Sequence, residues 1–225
     1  MPGPVAPLPG FSYTAAMTRP LSPGAADALL FDLGRVVLDI DFNKTLECWA
    51  GHAACEPAQL LQRFSSRDEA YRRHERGEIS DAEFFAALRT SLGIAISDAQ
   101  FLEGWNALFA GEMPGIAPLL ERAAKRLPLY AFSNTNGAHA DHFSAAYAGV
   151  LGHFREIFLS SSIGLRKPDA AAYDHVVTAI GMPAHRIVFF DDLAENIEGA
   201  RARGLTAVHV TSPNDVADAL AALGI

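Results

Sequence analysis

The sequence predicts an α/β protein with a doubly wound, Rossmann-like parallel sheet and a helical insertion after the first strand. Apolar runs at Ala28–Phe31 and Ile187–Phe190 are typical of strands buried on both faces of a parallel sheet. From Pro114 onwards, helical and strand patterns alternate strictly, which implies right-handed crossovers between parallel strands. Between the first strand and this alternation, residues 42–111 show only helical patterns.

The length, composition and net charge of the chain limit the kinds of protein that it can be. The chain has 225 residues, half of them hydrophobic, so it can bury a substantial core. Its formal net charge of −8 argues against a nucleic acid or a membrane surface as partner, because both favour basic patches. No stretch reaches the length of a transmembrane helix. Cys48 and Cys55 are predicted to be reduced thiols, which suits a cytoplasmic protein.

The chain divides into three parts. Residues 1–26 are rich in Pro, Gly and Ala and are predicted to be a flexible tail without a signal peptide. Met17 would serve as an initiator as well as Met1. Residues 27–41 and 112–225 are predicted to form the sheet domain, and residues 42–111 the helical insertion.

Four helices are predicted in the insertion, over residues 43–54, 57–76, 82–92 and 97–110. Ser80 and Glu83 have the spacing of a capping box, and Ser97 is a second N-cap. In the sheet domain the predicted helices span 114–127, 137–147, 169–180, 193–203 and 214–223. The predicted strands that follow the first span 129–133, 156–160, 186–190 and 206–210. A separate four-helix domain would give the same pattern as an insertion, so both interpretations remain open.

Polar residues stand where the predicted strands end. Asp32 follows the first strand, Ser133 and Asn134 end the second, and Asp191 and Asp192 follow the most apolar strand. Lys167 lies in an Arg-Lys-Pro segment before a predicted helix. Carboxyl ends of parallel strands meet at one edge, where open α/β sheets bind ligands. Taken singly, the serine could be an ordinary N-cap and the lysine a surface residue. Two adjacent acids after a buried strand need a cation or a proton.

In this order, the four motifs resemble those of the haloacid dehalogenase-like (HAD) hydrolase superfamily, over roughly residues 28–210. The resemblance implies that the helical insertion is a mobile cap. It also implies a phosphohydrolase with Asp32 as nucleophile, forming an aspartyl-phosphate. Mg²⁺ would be held by Asp32, the Gly34 carbonyl and Asp192, with Asp191 a ligand directly or through water, and Asn196 would brace the metal site. Ser133, the Asn134 amide and Lys167 would hold the phosphoryl group.

One position departs from the superfamily pattern. Most of its phosphatases carry a second Asp two residues after the nucleophile as general acid, and this chain has Gly34 there. Loss of a positioned acid forfeits about 10²–10⁴ in rate, least for activated leaving groups such as an anomeric sugar oxygen. The Asp-Leu-Gly first motif resembles the α-D-glucose-1-phosphatase-like and epoxide-hydrolase N-terminal phosphatase-like group. A sugar 1-phosphate is therefore an expected substrate.

Other residues are candidates for contact with the leaving group. His74, Glu75 and Arg76 precede the capped helix of the insertion, in a segment expected to descend onto the crevice, although a solvent-exposed helix end is an equal alternative. Arg35 stands at a usually small position and is expected to contact substrate or to seal the cap hinge. His139 and His142 are interpreted as wall or surface residues, because no further ligand completes a zinc site.

Two other functions compete with a phosphatase. An L-2-haloacid dehalogenase uses the same aspartate on carbon without metal, but Asp191 and Asp192 would repel its carboxylate substrate. A catalytically weak binding or regulatory module would explain Gly34, but it has no need of Asp32, Lys167 and Asp192 together. The expected partner is a small phosphorylated metabolite, and the expected assembly a monomer or homodimer.

Overall fold

The computed structural model describes residues 20–65 and 69–225. The strands are β1 (Ala28–Phe31), β2 (Leu38–Ile40), β3 (Phe109–Glu112), β4 (Leu129–Ser133), β5 (Glu156–Leu159), β6 (Ile187–Asp191) and β7 (Thr206–His209). Five of them form a parallel sheet in the order β5-β4-β1-β6-β7. Because β1 is central and the chain continues to both sides of it, the carboxyl ends of β1, β4 and β6 lie next to one another. The predicted α/β fold is confirmed.

The helices are α1 (Phe42–Ala53), α2 (Pro57–Arg63), α3 (Glu69–Glu75), α4 (Asp81–Leu92), α5 (Asp98–Asn106), α6 (Ile116–Ala124), α7 (Gly137–Ala146), α8 (Ala148–Leu151), α9 (Ser160–Ile163), α10 (Ala170–Ile180), α11 (Ala194–Ala202) and α12 (Pro213–Ala222). A short 3₁₀ turn, Ala184–Arg186, leads into β6.

The sheet has an apolar core on each face. On one face, Leu29 and Phe31 of β1 pack with residues of α6, α7 and α12. On the other, Leu30 and Phe189 pack with residues of α10 and α11. Alternate strand residues point to opposite faces, so a strand buried on both sides must be apolar throughout. This is why the apolar stretches of β1, β4 and β6 could be predicted from the sequence; β4 and β6 then end in the polar residues Ser133 and Asp191.

Helices α1–α5 form a cap with an apolar core of its own. Trp49, Phe84, Phe101 and Trp105 are buried in it. Both predicted N-caps are confirmed, since Ser80 forms a capping box with Glu83 and Ser97 forms one with Gln100. The cap joins the sheet domain through the antiparallel pair of β2 and β3.

Two predicted elements of the cap are wrong. The helix predicted over 57–76 is two helices, α2 and α3, because the chain becomes extended at Phe64, and residues 66–68 lie outside the described residues. The helix predicted over 97–110 ends at Asn106, because Phe109–Glu112 pairs with β2. Its apolar residues had suggested a continued helix, but pairing with a distant strand determined their conformation.

Of the predicted tail, residues 1–19 lie outside the described residues. Ala26 is buried in the sheet core, and Leu21 and Ala25 pack against the same core. Cys48 and Cys55 are free thiols, both half-buried. Within the two described ranges, no helix combines the length and the apolarity that crossing a membrane requires.

Candidate active site

Three carboxylates meet at the carboxyl edge of the sheet. Asp32 follows β1, Asp191 ends β6 and Asp192 comes next, and their ligand oxygens lie within 4.8 Å of one another. The Nζ of Lys167 lies 2.9 Å from Asp32 Oδ1 and 2.7 Å from Asp191 Oδ2. The parallel topology therefore places the first, third and fourth motifs at one point.

Lys167 is enclosed by protein. Its side chain is 1% exposed, and Nζ also donates to the carbonyl oxygen of Phe132 at 2.8 Å. The rings of Phe132 and Phe189 flank it, with centroids 5.2 and 5.3 Å from Nζ. Burial alone would lower the pKa of Lys167, but the Asp32 and Asp191 carboxylates outweigh it and raise that pKa. Lys167 is thus a fixed positive charge at neutral pH.

Asp32 is held in one orientation, since its Oδ1 also accepts a hydrogen bond from the Leu33 amide at 2.8 Å. Burial raises the pKa of Asp32 to about 7; Lys167 opposes this rise, and the charges of Asp191 and Asp192 add to it. Without a further cation, the carboxyl group of Asp32 is therefore only partly ionised at neutral pH.

Asp191 and Asp192 have different surroundings. Asp191 is fully buried, and its oxygens accept from Lys167 Nζ, the Leu193 amide and Asn196 Nδ2. Asp192 is half-buried; burial and then the charge of Asp191 raise the pKa of its carboxyl. Asn196 is 2% exposed, and its Oδ1 is a buried acceptor with no partner among the described residues.

The loop after β4 forms another wall. Ser133 is buried and lines the cleft. The Asn134 side chain binds the backbone of Lys167 at both ends: Nδ2 donates to Lys167 O and Oδ1 accepts from Lys167 N, each at 2.9 Å. Sequence reasoning had given Asn134 only a backbone role, and it missed Ser160. The Ser160 hydroxyl accepts from the Thr135 amide at 2.8 Å and donates to the Thr135 carbonyl at 3.0 Å.

A cleft of about 510 Å³ lies between the sheet edge and the cap. It is lined by Asp32, Gly34, Ser133, Asn134, Lys167 and Asn196 from the sheet domain, together with Arg166, which sequence reasoning had not singled out. The cap contributes Tyr71, Arg72 and Glu75 to it. Of the three consecutive cap candidates, only Glu75 lines the cleft.

The other two cap candidates point elsewhere. His74 is 2% exposed, stacks on Phe84 at 4.1 Å between centroids and hydrogen-bonds Asp81 at 2.6 Å, so it belongs to the cap interior. Arg76 pairs with Glu69 and Glu78 outside the cleft. Three consecutive residues near a helix end face different directions, which the sequence does not reveal.

Arg35 also lies outside this cleft. Its backbone is left-handed, with φ of 57°, and its side chain is 62% exposed. The Arg35 guanidinium approaches Asp192 at 4.0 Å, and because the Arg35 side chain is exposed, water screens much of this attraction. Arg35 therefore lies near the three carboxylates but outside the cleft.

His139 forms part of the cleft wall next to the cap hinge. Its ring stacks on Trp105 at 4.6 Å, Nε2 lies 2.9 Å from the Trp105 carbonyl oxygen, and Nδ1 lies 3.1 Å from Asn136 Nδ2. Burial lowers the pKa of His139 to about 3, so the ring is neutral. A neutral ring that donates from Nε2 and accepts at Nδ1 satisfies both contacts. The predicted wall position of His139 agrees with this placement.

A second group of candidate ligands lies on the cap, where Cys48, His52 and Glu103 come within 4.8 Å of one another. The spacing of four residues between Cys48 and His52 on α1 allows this, although sequence reasoning found no ligand partner for the cysteine. His52 already bonds to Glu103 at 3.1 Å and to Gln100 at 3.2 Å. These contacts account for the cluster as an ordinary helix–helix junction.

Comparison with known proteins agrees with this geometry. A family profile described as haloacid dehalogenase-like hydrolase matches residues 26–204. The chain is 30% identical over 184 residues to Enolase-phosphatase E1 of Stenotrophomonas maltophilia (strain K279a), covering 80% of this chain and 64% of that protein. It is 32% identical over 111 residues to a Mycobacterium tuberculosis protein named as a phosphatase, covering 49% of this chain and 51% of that protein.

This chain spans about half or less of the length of the first curated relatives that it matches. Among solved structures, a HAD family enzyme of Bacteroides thetaiotaomicron in complex with magnesium and inorganic phosphate superimposes with a TM-score of 0.73 at 24% identity. That likeness covers 82% of this chain and 93% of the other, and it shows the fold. The profile match over most of the chain shows that the protein belongs to the haloacid dehalogenase-like hydrolases.

Proposed function

We propose that this protein is a magnesium-dependent phosphomonoesterase that acts through an aspartyl-phosphate on Asp32. The single observation that carries the proposal is a group of three carboxylates whose oxygens lie within 4.8 Å of one another, two of them paired with the buried ammonium of Lys167. The relatives named as phosphatases support the same chemistry. The proposed substrate is a small phosphorylated metabolite with an activated leaving group, such as a sugar 1-phosphate.

The charges of the site fit a divalent cation. Three carboxylates face one buried ammonium, which leaves an excess of negative charge that burial makes costly. Oxygen donors from carboxylates and a carbonyl are the ligands that Mg²⁺ prefers. The partnerless Oδ1 of Asn196 beside Asp191 is an acceptor suited to a metal-bound water. We assign Asp32, Asp192 and the Gly34 carbonyl as ligands, with Asp191 acting through Lys167 and water because its oxygens are already hydrogen-bonded.

Bound there, Mg²⁺ would mask the phosphoryl charge and favour the ionised form of Asp32. An Asp32 oxygen attacks phosphorus, the bond from phosphorus to the leaving oxygen breaks, and an aspartyl-phosphate forms. Water then attacks the same phosphorus, releasing phosphate and restoring the carboxylate. Lys167 holds the Asp32 carboxylate in place and faces the transferring oxygens, while Ser133 and the Asn134 amide supply neutral donors to them.

Gly34 determines which substrates are favoured in this proposal. With no carboxyl at that position, this chain supplies no acid from its first motif to the departing oxygen. An anomeric sugar oxygen or a phenol leaves without such help more readily than a primary alcohol does. We therefore infer a preference for glucose 1-phosphate over glucose 6-phosphate.

The test is hydrolysis of p-nitrophenyl phosphate and of the two glucose phosphates, with Mg²⁺ and after chelation. We expect turnover that needs Mg²⁺, disappears in Asp32→Asn and is faster for the 1-phosphate. Chloride release from a 2-chloroacid without Mg²⁺, in place of phosphate release, would identify a dehalogenase. Phosphate binding without turnover of any ester would identify a binding module and overturn the proposal.

A further inference from the structure

The cap and the sheet domain are joined by a charged contact beside the cleft. Glu75, the last residue of α3, is 6% exposed, and its Oε2 accepts from Arg166 Nε at 2.8 Å. The two residues are 91 positions apart in the chain, one in the cap and one directly before Lys167. This ion pair therefore connects the cap to the segment that carries the buried ammonium of the site.

A second contact lies two residues further along the cap. Gly77 has φ of +67°, and a Cβ built on it would lie 2.3 Å from the backbone oxygen of Ser161 in α9. No side chain fits that space without displacing backbone, so the turn after α3 lies directly on the sheet domain. Together with the ion pair, this contact defines how closely the cap approaches the sheet edge.

The segment holding Arg166 is tied on its other side to the active site. The Asn134 side chain binds Lys167 at both backbone groups, and the Asp169 amide donates to the Arg166 carbonyl at 3.0 Å. Residues 166–169 thus form a hydrogen-bonded turn that is held to Asn134 and carries the partly buried guanidinium of Arg166. Through the bond between Glu75 and Arg166, the cap is therefore connected to the backbone of Lys167.

The closed position of the cap and the ion pair between Glu75 and Arg166 depend on each other for electrostatic reasons. With the cap in place, the Glu75 carboxylate is withdrawn from water and Arg166 is its only cation within salt-bridge distance among the described residues. A buried carboxylate deprived of its partner is strongly unfavourable, whereas the same two groups gain little from each other once hydrated. The pair therefore specifies the closed arrangement.

We propose that Glu75 and Arg166 are a positioning pair that holds the cap closed over the cleft and keeps Lys167 in register with Asp32. Neither residue needs to touch the reacting atoms. The inference rests on the proposed function for its catalytic consequence, whereas the closing role stands on the cap contact itself.

The test combines hydrogen exchange, binding of inorganic phosphate with Mg²⁺, and turnover of p-nitrophenyl phosphate. In Glu75→Gln and Arg166→Met we expect faster exchange at Gly77–Ser80 and Ser160–Ile163. We also expect phosphate affinity and kcat/KM to fall together by about tenfold, as a smaller closed fraction requires. Glu75→Gln is nearly isosteric and leaves no buried charge, so it keeps the test valid if Arg166→Met fails to fold.

Controls separate positioning from general stability. Asp27 and Arg186 form a more exposed ion pair within the sheet domain, outside the cleft, so Asp27→Asn is expected to leave exchange at both segments and phosphate affinity unchanged. Arg166→Lys keeps the charge and is expected to recover part of the loss. The double variant Glu75→Gln/Arg166→Met is expected to be no worse than the poorer single variant, because both remove one interaction.

Unchanged exchange at both segments in Glu75→Gln overturns the closing role, and so do additive losses in the double variant. If exchange rises but phosphate affinity stays at the wild-type value, the link to Lys167 is wrong. If the wild-type protein hydrolyses no phosphate ester, the proposed function fails while the exchange result still decides whether the pair closes the cap.

Discussion

The burial of the His139 ring predicts that the protein loses stability at acidic pH. Burial lowers the pKa of His139 to about 3, whereas the ring in the unfolded chain titrates near its ordinary value of 6.5. As the pH falls below 6.5, the unfolded chain binds a proton that the folded protein does not. A depressed pKa of this kind contributes stability that is full above 6.5 and is lost progressively towards pH 3.

The size of the effect follows from the two pKa values. A pH of about 5 lies about 1.5 units below the pKa of this ring in the unfolded chain, and each unit contributes about 1.4 kcal/mol to the free energy difference. The free energy of unfolding should therefore fall by about 2 kcal/mol between about pH 7.5 and pH 5 through this one group. His139→Gln keeps a neutral donor near the Trp105 carbonyl and removes the titration.

The measurement is urea unfolding of the wild type and His139→Gln at both pH values. The variant is expected to be less stable at neutral pH, because Asn136 loses its acceptor, but to lose about 2 kcal/mol less on acidification. His142→Gln, one helical turn away and half-exposed, is the matched control and should follow the wild type. Equal acid-induced losses in His139→Gln and wild type would refute the buried, neutral ring.

Three further predictions follow from packing and charge. Lys167→Met leaves buried carboxylates without their cation and should lower the free energy of unfolding by about 3–5 kcal/mol in urea; a loss below about 1 kcal/mol would contradict the role described. Gly104→Ala places a Cβ 2.2 Å from the Trp49 ring and should destabilise the protein by about 1–3 kcal/mol in thermal unfolding, whereas Gly51→Ala, with nothing within 4 Å, should be neutral or stabilising. Gly34→Asp, whose Cβ would meet only Ile40 at 3.6 Å, should raise kcat/KM for glucose 6-phosphate relative to p-nitrophenyl phosphate by about 10²; an unchanged ratio would count against the leaving-group argument.

The elements that the sequence predicted best are those whose burial leaves only one choice of residue. Strand β4 has the predicted bounds, because both of its faces are covered and every position before the final Ser133 is apolar. The capping boxes at Ser80 and Ser97 are local interactions over three residues and are equally readable. The predicted edge of the sheet at which polar residues collect also follows from chain order and parallel pairing alone.

The errors concern contacts between distant segments. The first two residues of strand β3 were predicted as helix because Phe109 continues the apolar spacing of α5, yet the partner strand β2 lies about 70 residues earlier. His74 was grouped with Glu75 as a substrate contact, although stacking on Phe84 turns its ring into the cap. Arg166 was passed over beside Lys167, because nothing local marks a residue whose partner is Glu75.

The sequence by itself determined the sheet, the insertion between its first two motifs, and the identity of the charged residues at the strand ends. These features depend on burial patterns and on local capping, both of which involve residues close together in the sequence. Only the tertiary structure decided which charges touch, which cap side chain faces the cleft, and which ring is neutral. Those properties depend on distance and on exclusion of water, and both arise only when segments remote in the chain pack together.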